Sequence, residues 1–333
     1  MIPSLLHNFD LTGHNTLGLS ARSAYARSID DEAELPELFA LAERRGLPVR
    51  ILGGGSNVIL SREYDGITAI MATSGRTLTE EGDTVLLDAC AGETWHELVA
   101  WTVGQNLWGL ENLAGIPGTL GAAPIQNIGA YGVELSDRFE SLRAFDRVER
   151  RFVTMTTQDC RFAYRQSRFK QEPGRYVVTQ VRLRLSRNGA PNLGYRDLSA
   201  LGPFAHPSEV MDNVLRLRGS KLPDWRILGN AGSFFHNPVL TAEAAAAFAT
   251  LHPTAPAFPQ ADGAVKLSAG WLIEHAGLKG YRMGRAGVSD RHALVLVNHG
   301  GATRDDIMAL ADFIVDTVRG KFGVGLHREP ELL

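Results

Sequence analysis

GIPGTLGAAPIQNIGAYG, running from Gly115 to Gly132, is built unlike any regular element. Five of its residues are glycines, most of the others are small or carry amides, and no helical or strand period of apolar residues passes through it. Glycine permits positive φ and lets a ligand approach bare backbone. Successive N–H groups in such turns form concave anion sites. Loops in compact domains usually have only about 4–6 residues. A run of this length and composition therefore points to a wrap around something rigid and phosphate-bearing, with an ordinary multi-turn loop as the plain alternative. Thr119 supplies a hydroxyl, and Gln126 and Asn127 supply donors and acceptors that suit a diphosphate or a heterocycle edge, or equally the loop's own backbone.

Upstream, Pro48 to Leu52 forms a short strand that runs straight into Gly53-Gly54-Gly55-Ser56-Asn57 and then Val58-Ile59-Leu60. Such a turn is either a second phosphate-contacting loop or a tight β-turn without a ligand. Val58 stands where a GxGxxG fingerprint needs its third glycine, and the chain contains no GxxxxGK[ST], so the usual Rossmann and P-loop readings fail.

The remaining chain gives these loops a scaffold. Asp30 to Arg45 is a helix, capped by Asp30 or Asp31, stopped by Gly46, with Leu35, Leu38, Phe39 and Ala42 on its apolar face. Thr84 to Ala91 is a strand. Thr94-Trp95-His96-Glu97 has the form of a capping box opening a helix to Gly104. Phe139 to Phe145 and Arg175 to Leu185 are strands, the second alternating Val181, Leu183 and Leu185 with Arg182 and Arg184. Between them, aromatics alternate with cations from Phe162 to Lys170, either as an amphipathic surface segment or as part of a site. Gly194-Tyr195-Arg196-Asp197 interrupts a polar linker, and a break falls near Pro223. Thr241 to Leu251 and Lys266 to His275 are helices, the latter capped by Ser268. His292 to Asn298 is a buried strand, and Thr303 opens a last helix whose stripe Ile307, Leu310, Ala311, Ile314, Val318 belongs to a core.

A second irregular stretch, Leu228 to Pro238, crowds glycine and asparagine around Ser233 and follows it with Phe234-Phe235. It is not GxSxG and no Ser/His/Asp order is legible, so Ser233 is a poor nucleophile candidate; a proton-donating hydroxyl or a turn hydroxyl remain. The 333 residues carry a net charge of −3, with 44% hydrophobic and 21% charged residues. No global basic field calls for nucleic acid, no apolar run reaches membrane-span length, and the ten histidines show no metal spacing. Cys90 and Cys160 show no disulfide framework, which suits a reducing cytoplasm, and the opening residues lack the pattern of a secretory leader.

Six stretches in this order, ILGGGSNVIL (51–60), GIPGTLGAAPIQNIGAYGVEL (115–135), YRQSRFK (164–170), GNAGSFFHNPV (229–239), KLSAGWLIEHAGLKGYRMG (266–284) and the acidic close, make the chain resemble the UDP-N-acetylenolpyruvoylglucosamine reductases of bacterial cell-wall synthesis. LGYRDL around Tyr195 is similar to the longer type, in which a tyrosine-bearing loop closes on the substrate. The resemblance implies an α+β, vanillyl-alcohol-oxidase/PCMH-like FAD-binding fold: two subdomains (1–72 and 73–222), a substrate domain (223–325) and a closing segment (326–333). It implies FAD and NADPH as cofactors, UDP-N-acetylglucosamine enolpyruvate as substrate, UDP-N-acetylmuramate as product, and a cytoplasmic protein, taken as a monomer. No metal, nucleic acid or membrane insertion is implied.

By the same resemblance FAD is held by Gly53, Gly54, Gly55, Ser56 and Asn57, and by Ile116, Pro117, Gly118, Thr119, Gly121, Ala122, Gln126, Asn127, Gly129, Ala130 and Tyr131. Tyr164, Tyr195, Lys221, Asn237 and Lys266 are matched to substrate binding, with Lys221 either at the UDP diphosphate or a solvated loop lysine. Arg165 and Glu329 would stabilise the charge that hydride transfer pushes into the substrate carboxylate, and Ser233 would protonate the enolate. The closing Glu329-Pro330-Glu331-Leu332-Leu333 departs from the usual ending, in which an aliphatic residue and an arginine follow the glutamate; ungapped counting selects Glu329, and Glu331 remains an alternative. Two rivals stand beside this reading: a flavoenzyme of the same fold that uses oxygen and another substrate, and a non-catalytic UDP-sugar-binding module.

Overall fold

The computed structural model describes residues 4–333. The part of the leader reading, and of the first expected subdomain, that precedes Ser4 lies outside them. Contacts divide the chain into two units, one built mainly from Ser23–Gly55 and Glu63–Arg218, the other from Asp10–Arg22, Ser56–Arg62 and Gly219–Leu333.

The first unit contains two sheets. One has the strand order Leu6–Asp10, Arg22–Ile29, Glu63–Met71, Val49–Leu52, and its last two strands run parallel. The helix Leu35–Arg45 buries Leu35, Leu38 and Ala42 against Ile29, Val49, Ile67 and Ala69. Asp31, not Asp30, provides the cap: it accepts from Ala33 N and forms a reciprocal capping box with Glu34, so a 3-10 turn, Glu32–Glu34, precedes the helix. The other sheet is antiparallel, in the order Arg151–Thr156, Phe139–Asp146, Tyr176–Ser186, Thr84–Cys90, Arg76–Glu81. Its alternation is as the sequence indicates: Val181, Leu183 and Leu185 are buried, while Arg182 is exposed and bonds Asp88 at 2.8 Å. Trp95, Leu98 and Val99 of the helix Trp95–Gly104 fill the core over this sheet.

One expected feature of that helix does not form. Thr94 occupies the N-cap position, yet its side chain makes no capping bond. The helix start is instead tied to the glycine stretch by an isolated bridge between Thr94 and Thr119, in which Trp95 N donates to Gly118 O at 3.0 Å and Leu120 N donates to Glu93 O at 2.8 Å. A helix Pro207–Lys221 occupies part of the supposed polar linker. Its buried residues are few, Pro207, Val210 and Val214 among many charges, so its periodicity is faint in the sequence.

The second unit has a sheet in the order Gly229–Ser233, Val295–Asn298, Ala286–Val288, Arg282–Met283. The last helix, Arg304–Phe322, opens with a Thr303/Asp306 capping box, and Ile307, Leu310, Ala311, Ile314 and Val318 are fully buried. Leu17, Leu19 and Ile59 from earlier in the chain complete this core. The helix expected from Lys266 starts later, at Ala269, because Val265–Leu267 is a strand pairing with both Val239–Leu240 and Ala257–Pro259. Ser268 does cap it, accepting from Trp271 N at 3.2 Å. At the chain's close, Glu331–Leu332 pairs in parallel with Val58–Ile59. Among the described residues no helix is long and apolar enough to cross a membrane.

Candidate active site

In the first unit, the turn that ends the strand Val49–Leu52 lies backbone against backbone on the long glycine stretch. A Cβ on Gly54 would stand 2.7 Å from Gly118 Cα, and one on Gly53 would collide with Thr119 Oγ1. Gly118 also has φ +114°, outside the range of ordinary side-chain-bearing residues. Thr119 Oγ1 is buried and has no hydrogen-bond partner among the described residues. A buried hydroxyl without a partner costs about 1–3 kcal/mol, so it calls for a ligand group to bond. Bare glycine backbone of both turns stands beside it. These two features fit the FAD that the resemblance implies.

The rest of the stretch is held by the scaffold. Leu120–Ala122 makes a 3-10 turn, Gly121 N donates to Ala91 O at 2.8 Å, and Gly129–Ala130 pairs with Val133–Glu134. Asn127, fully buried, donates to Glu134 Oε2 at 2.7 Å and accepts from Ser136 N at 2.9 Å, so its amide serves the loop itself. Arg165 sits on a tight turn in which Ala163 and Gln166 bond each other, at φ +53°, and donates to Gly129 O at 2.7 Å. Its guanidinium lies 5.3 Å over the Tyr164 ring. The Ser167 hydroxyl ties this turn to Ile125 O. The alternating Phe162–Lys170 segment thus docks on the glycine stretch and carries Arg165 to its end.

Tyr195 packs edge-on against Tyr131, ring centroids 5.0 Å apart. Beneath them Asn112, 1% exposed, donates to Tyr131 O at 3.0 Å and to Asn192 O at 2.9 Å, joining the tyrosine-bearing segment to the glycine stretch. His96 Nδ1 accepts from Gly115 N at 3.2 Å, and Arg218 lies beside Gly115. Burial, then the positive charge of Arg218, holds the His96 imidazole below its usual protonation range. No motif marks Asn112 or Arg218 in the sequence, and His96 falls in a stretch that reads only as a capping box.

In the second unit, Ser233 ends the strand Gly229–Ser233 after a register irregularity between Asn230 and Ser233, where Gly232 N bonds Asn230 Oδ1 at 3.0 Å. Such bulges re-aim the side chains that follow. Phe234 and Phe235 are buried and anchor the segment. The closing segment runs beside it: Glu329 N donates to Phe234 O and His236 N donates to His327 O, both at 2.9 Å. Glu329 Oε2 lies 3.9 Å from His236 Nε2, the two side chains 11% and 17% exposed. Asn57 Nδ2 reaches Glu329 O at 3.4 Å, and Thr16 Oγ1 reaches Ser56 O at 3.5 Å. Asn237 Oδ1 accepts from Ala269 N at 2.9 Å, which ties it to the start of the helix Ala269–His275. Lys266 lies on the strand Val265–Leu267. Lys221 ends the helix Pro207–Lys221, and its charge helps burial hold His292 below its usual protonation range.

Residues 24–150 match the model of an FAD-binding domain. With the glycine-on-glycine cradle, that match defines an FAD-dependent oxidoreductase of α+β fold, as the resemblance implies. Residues 223–333 match the C-terminal domain of UDP-N-acetylenolpyruvoylglucosamine reductase. The chain belongs to the UDP-N-acetylenolpyruvoylglucosamine reductase family: it is 50% identical to that enzyme of Chromobacterium violaceum, with 97% of both chains covered. It is 46% identical to the Pseudomonas aeruginosa enzyme, with 98% of each covered. The solved structure of the Thermus caldophilus reductase superposes with TM-score 0.69 at 25% identity, covering 99% of this chain and 98% of that one.

Proposed function

We propose that this chain reduces UDP-N-acetylglucosamine enolpyruvate to UDP-N-acetylmuramate, with Ser233, Arg165 and Glu329 as its catalytic residues. FAD, held at the two glycine turns, supplies hydride storage between NADPH and the sugar. An enol ether accepts hydride at its terminal carbon only if the adjacent carboxylate takes up the charge as an enolate. Arg165 would bind that carboxylate and stabilise the developing negative charge. The Ser233 O–H would then give its proton to the α carbon, so that one hydride and one proton convert the double bond to a lactyl ether. A serine hydroxyl is a weak acid, but an enolate carbon is a strong base. Tyr164, Tyr195, Lys221, Asn237 and Lys266 would hold the sugar nucleotide, the lysines as point charges at phosphate.

The observation that carries these roles is the main-chain bond from Glu329 to Phe234, the residue after Ser233. It supports hydroxyl and carboxyl acting on one substrate, and supports Glu329 over Glu331, whose strand Glu331–Leu332 pairs with Val58–Ile59. The subdomain division 1–72, 73–222, 223–325 and 326–333, a monomeric state and a cytoplasmic location complete the reading. Stopped-flow absorbance of the FAD-loaded protein tests it. NADPH should bleach the flavin, and the enolpyruvyl sugar should restore the colour far faster than oxygen does. Equal reoxidation by oxygen alone would favour the oxygen-using rival, and a protein that takes up no flavin would favour the binding module.

A further inference from the structure

A cavity of about 650 Å³ opens in the first unit beside the helix Leu35–Arg45. It lies at the start of the strand Val49–Leu52, whose far end runs into Gly53 and Gly54. At about 3.3 Å per residue, roughly 16 Å separates Pro48, in the cavity wall, from Gly53. The apolar part of the wall is rigid. Phe39 and Phe145 stack with ring centroids 5.7 Å apart and planes 10° from parallel. Pro36, Leu47, Pro48 and Pro173 complete it. Prolines have fixed φ, so this surface is largely shaped before a ligand arrives.

The charges of the lining do not balance. Arg150 bonds both oxygens of Glu43, at 2.8 and 2.9 Å. Arg175 is held by Asp146 and by Glu172, each at 2.8 Å. Arg147 has no ion pair among the described residues. Its guanidinium lies 4.4 Å over the Phe39 ring and gives Nη1 to Gly174 O at 2.8 Å. Its Nε and Nη2 make no hydrogen bond among the described residues. These contacts fix the group without neutralising it, and burial pulls it below its ordinary protonation range.

A second unpaired cation lies close by. Arg50, next to the lining residue Val49, is 7% exposed, and its Nη1 and Nη2 have no hydrogen-bond partner among the described residues. It lies 4.2 Å over the Tyr64 ring. Burial raises the Tyr64 pKa, and Arg50 and then Arg147 act against that rise, so both cations bear on one phenol. Stacked aromatic rings thus adjoin an excess of positive charge, which attracts an anion with an apolar body.

We propose that this cavity binds a small planar carboxylate, its ring against the aromatic wall and its carboxylate on the free edge of Arg147, at a site separate from the flavin loops. The planar guanidinium matches a carboxylate through two parallel hydrogen bonds.

The test titrates 2-naphthoate, and its uncharged analogue 2-naphthamide, into the FAD-loaded protein by calorimetry. Naphthoate should bind at one site, at least about tenfold more tightly than the amide. Arg147→Gln should abolish that preference by weakening naphthoate alone, and Phe39→Ala should weaken both ligands. Arg147→Lys keeps the charge without the fork and should retain part of the preference. In the wild-type protein the backbone NMR signals of Leu47 and Gly174 should shift on saturation while the flavin stays bound. Equal affinity of the wild type for the two probes, a preference that survives Arg147→Gln, or shifts that leave Leu47 and Gly174 untouched overturns the proposal. Release of flavin by naphthoate overturns it too, because that places the ligand at the glycine loops.

Discussion

Gly54 and Gly118 approach so closely that a Cβ on the first would stand 2.7 Å from the Cα of the second. Neither side of that contact can retreat by turning a flexible side chain, because both are backbone. Gly54→Ala should therefore push the two turns apart, destabilising the protein by about 1–3 kcal/mol, and weaken FAD retention more than folding. Flavin absorbance per protein after gel filtration, and the rise in melting temperature on adding FAD, measure the two effects separately.

Asn112 links the tyrosine-bearing segment to the glycine stretch through two side-chain bonds to backbone carbonyls. Asn112→Ala leaves both acceptors in place and removes their donor, at a cost of about 1–3 kcal/mol. If about 1.4 kcal/mol of that falls on the closed position of Tyr195, KM for the sugar rises about tenfold. The rate of flavin reduction by NADPH should not change, and steady-state and half-reaction kinetics distinguish the two.

Ser233→Ala should leave bleaching by NADPH intact and slow reoxidation by the sugar about 100- to 10,000-fold, the usual worth of a positioned acid. Equal loss in both half-reactions would remove its role as proton donor. Arg165→Ala should slow the same half-reaction. Glu331→Gln should turn over normally while Glu329→Gln does not.

Asp146 is buried on the antiparallel sheet. Burial alone would raise its pKa, but the Arg175 guanidinium and the N–H groups of Glu149 and Val148 outweigh that and hold it below the usual range. Its contribution to stability is complete above about pH 4, near the ordinary aspartate value, and is lost as the pH falls toward the depressed native value. Asp146→Asn should lower stability at neutral pH and flatten the decline in acid. Urea midpoints at several pH values check this.

His96 behaves in the same sense. Its proton affinity is lowered in the native state by burial and then by Arg218, so the unfolded chain takes the proton first. The stabilisation is complete above about pH 6.5 and declines below it as Nδ1 is protonated and can no longer accept from Gly115 N. FAD should dissociate more readily on mild acidification, and His96→Gln, whose amide oxygen can still accept, should weaken that dependence in a fluorescence titration of released flavin.

Much of this was legible in residue order. Long helices announced themselves by their stripes and caps, as in Thr303–Val318, and Val181, Leu183 and Leu185 announced the central strand by alternation. The missed elements have weak local signals. Pro207–Lys221 carries too few buried residues for a clear stripe, and Lys266 was drawn into a neighbouring helix because a three-residue strand has no period to read. The Thr94 cap does not form, although the sequence spacing suits it; the first helical N–H bonds the backbone carbonyl of Gly118, more than twenty residues away, which no local pattern marks.

From the amino-acid order alone came the glycine loops, the lone Ser233 between glycine and paired phenylalanines, and a closing run of acids; these are properties of composition and local spacing. Folding alone decided which partners those groups meet. Thr119 lacking a hydrogen-bond partner among the described residues, Asn112 joining two loops and Glu329 standing beside His236 each depend on chain segments far apart in sequence. Distances between such segments are set by the packing of whole sheets and helices, and no local pattern of residue types encodes them.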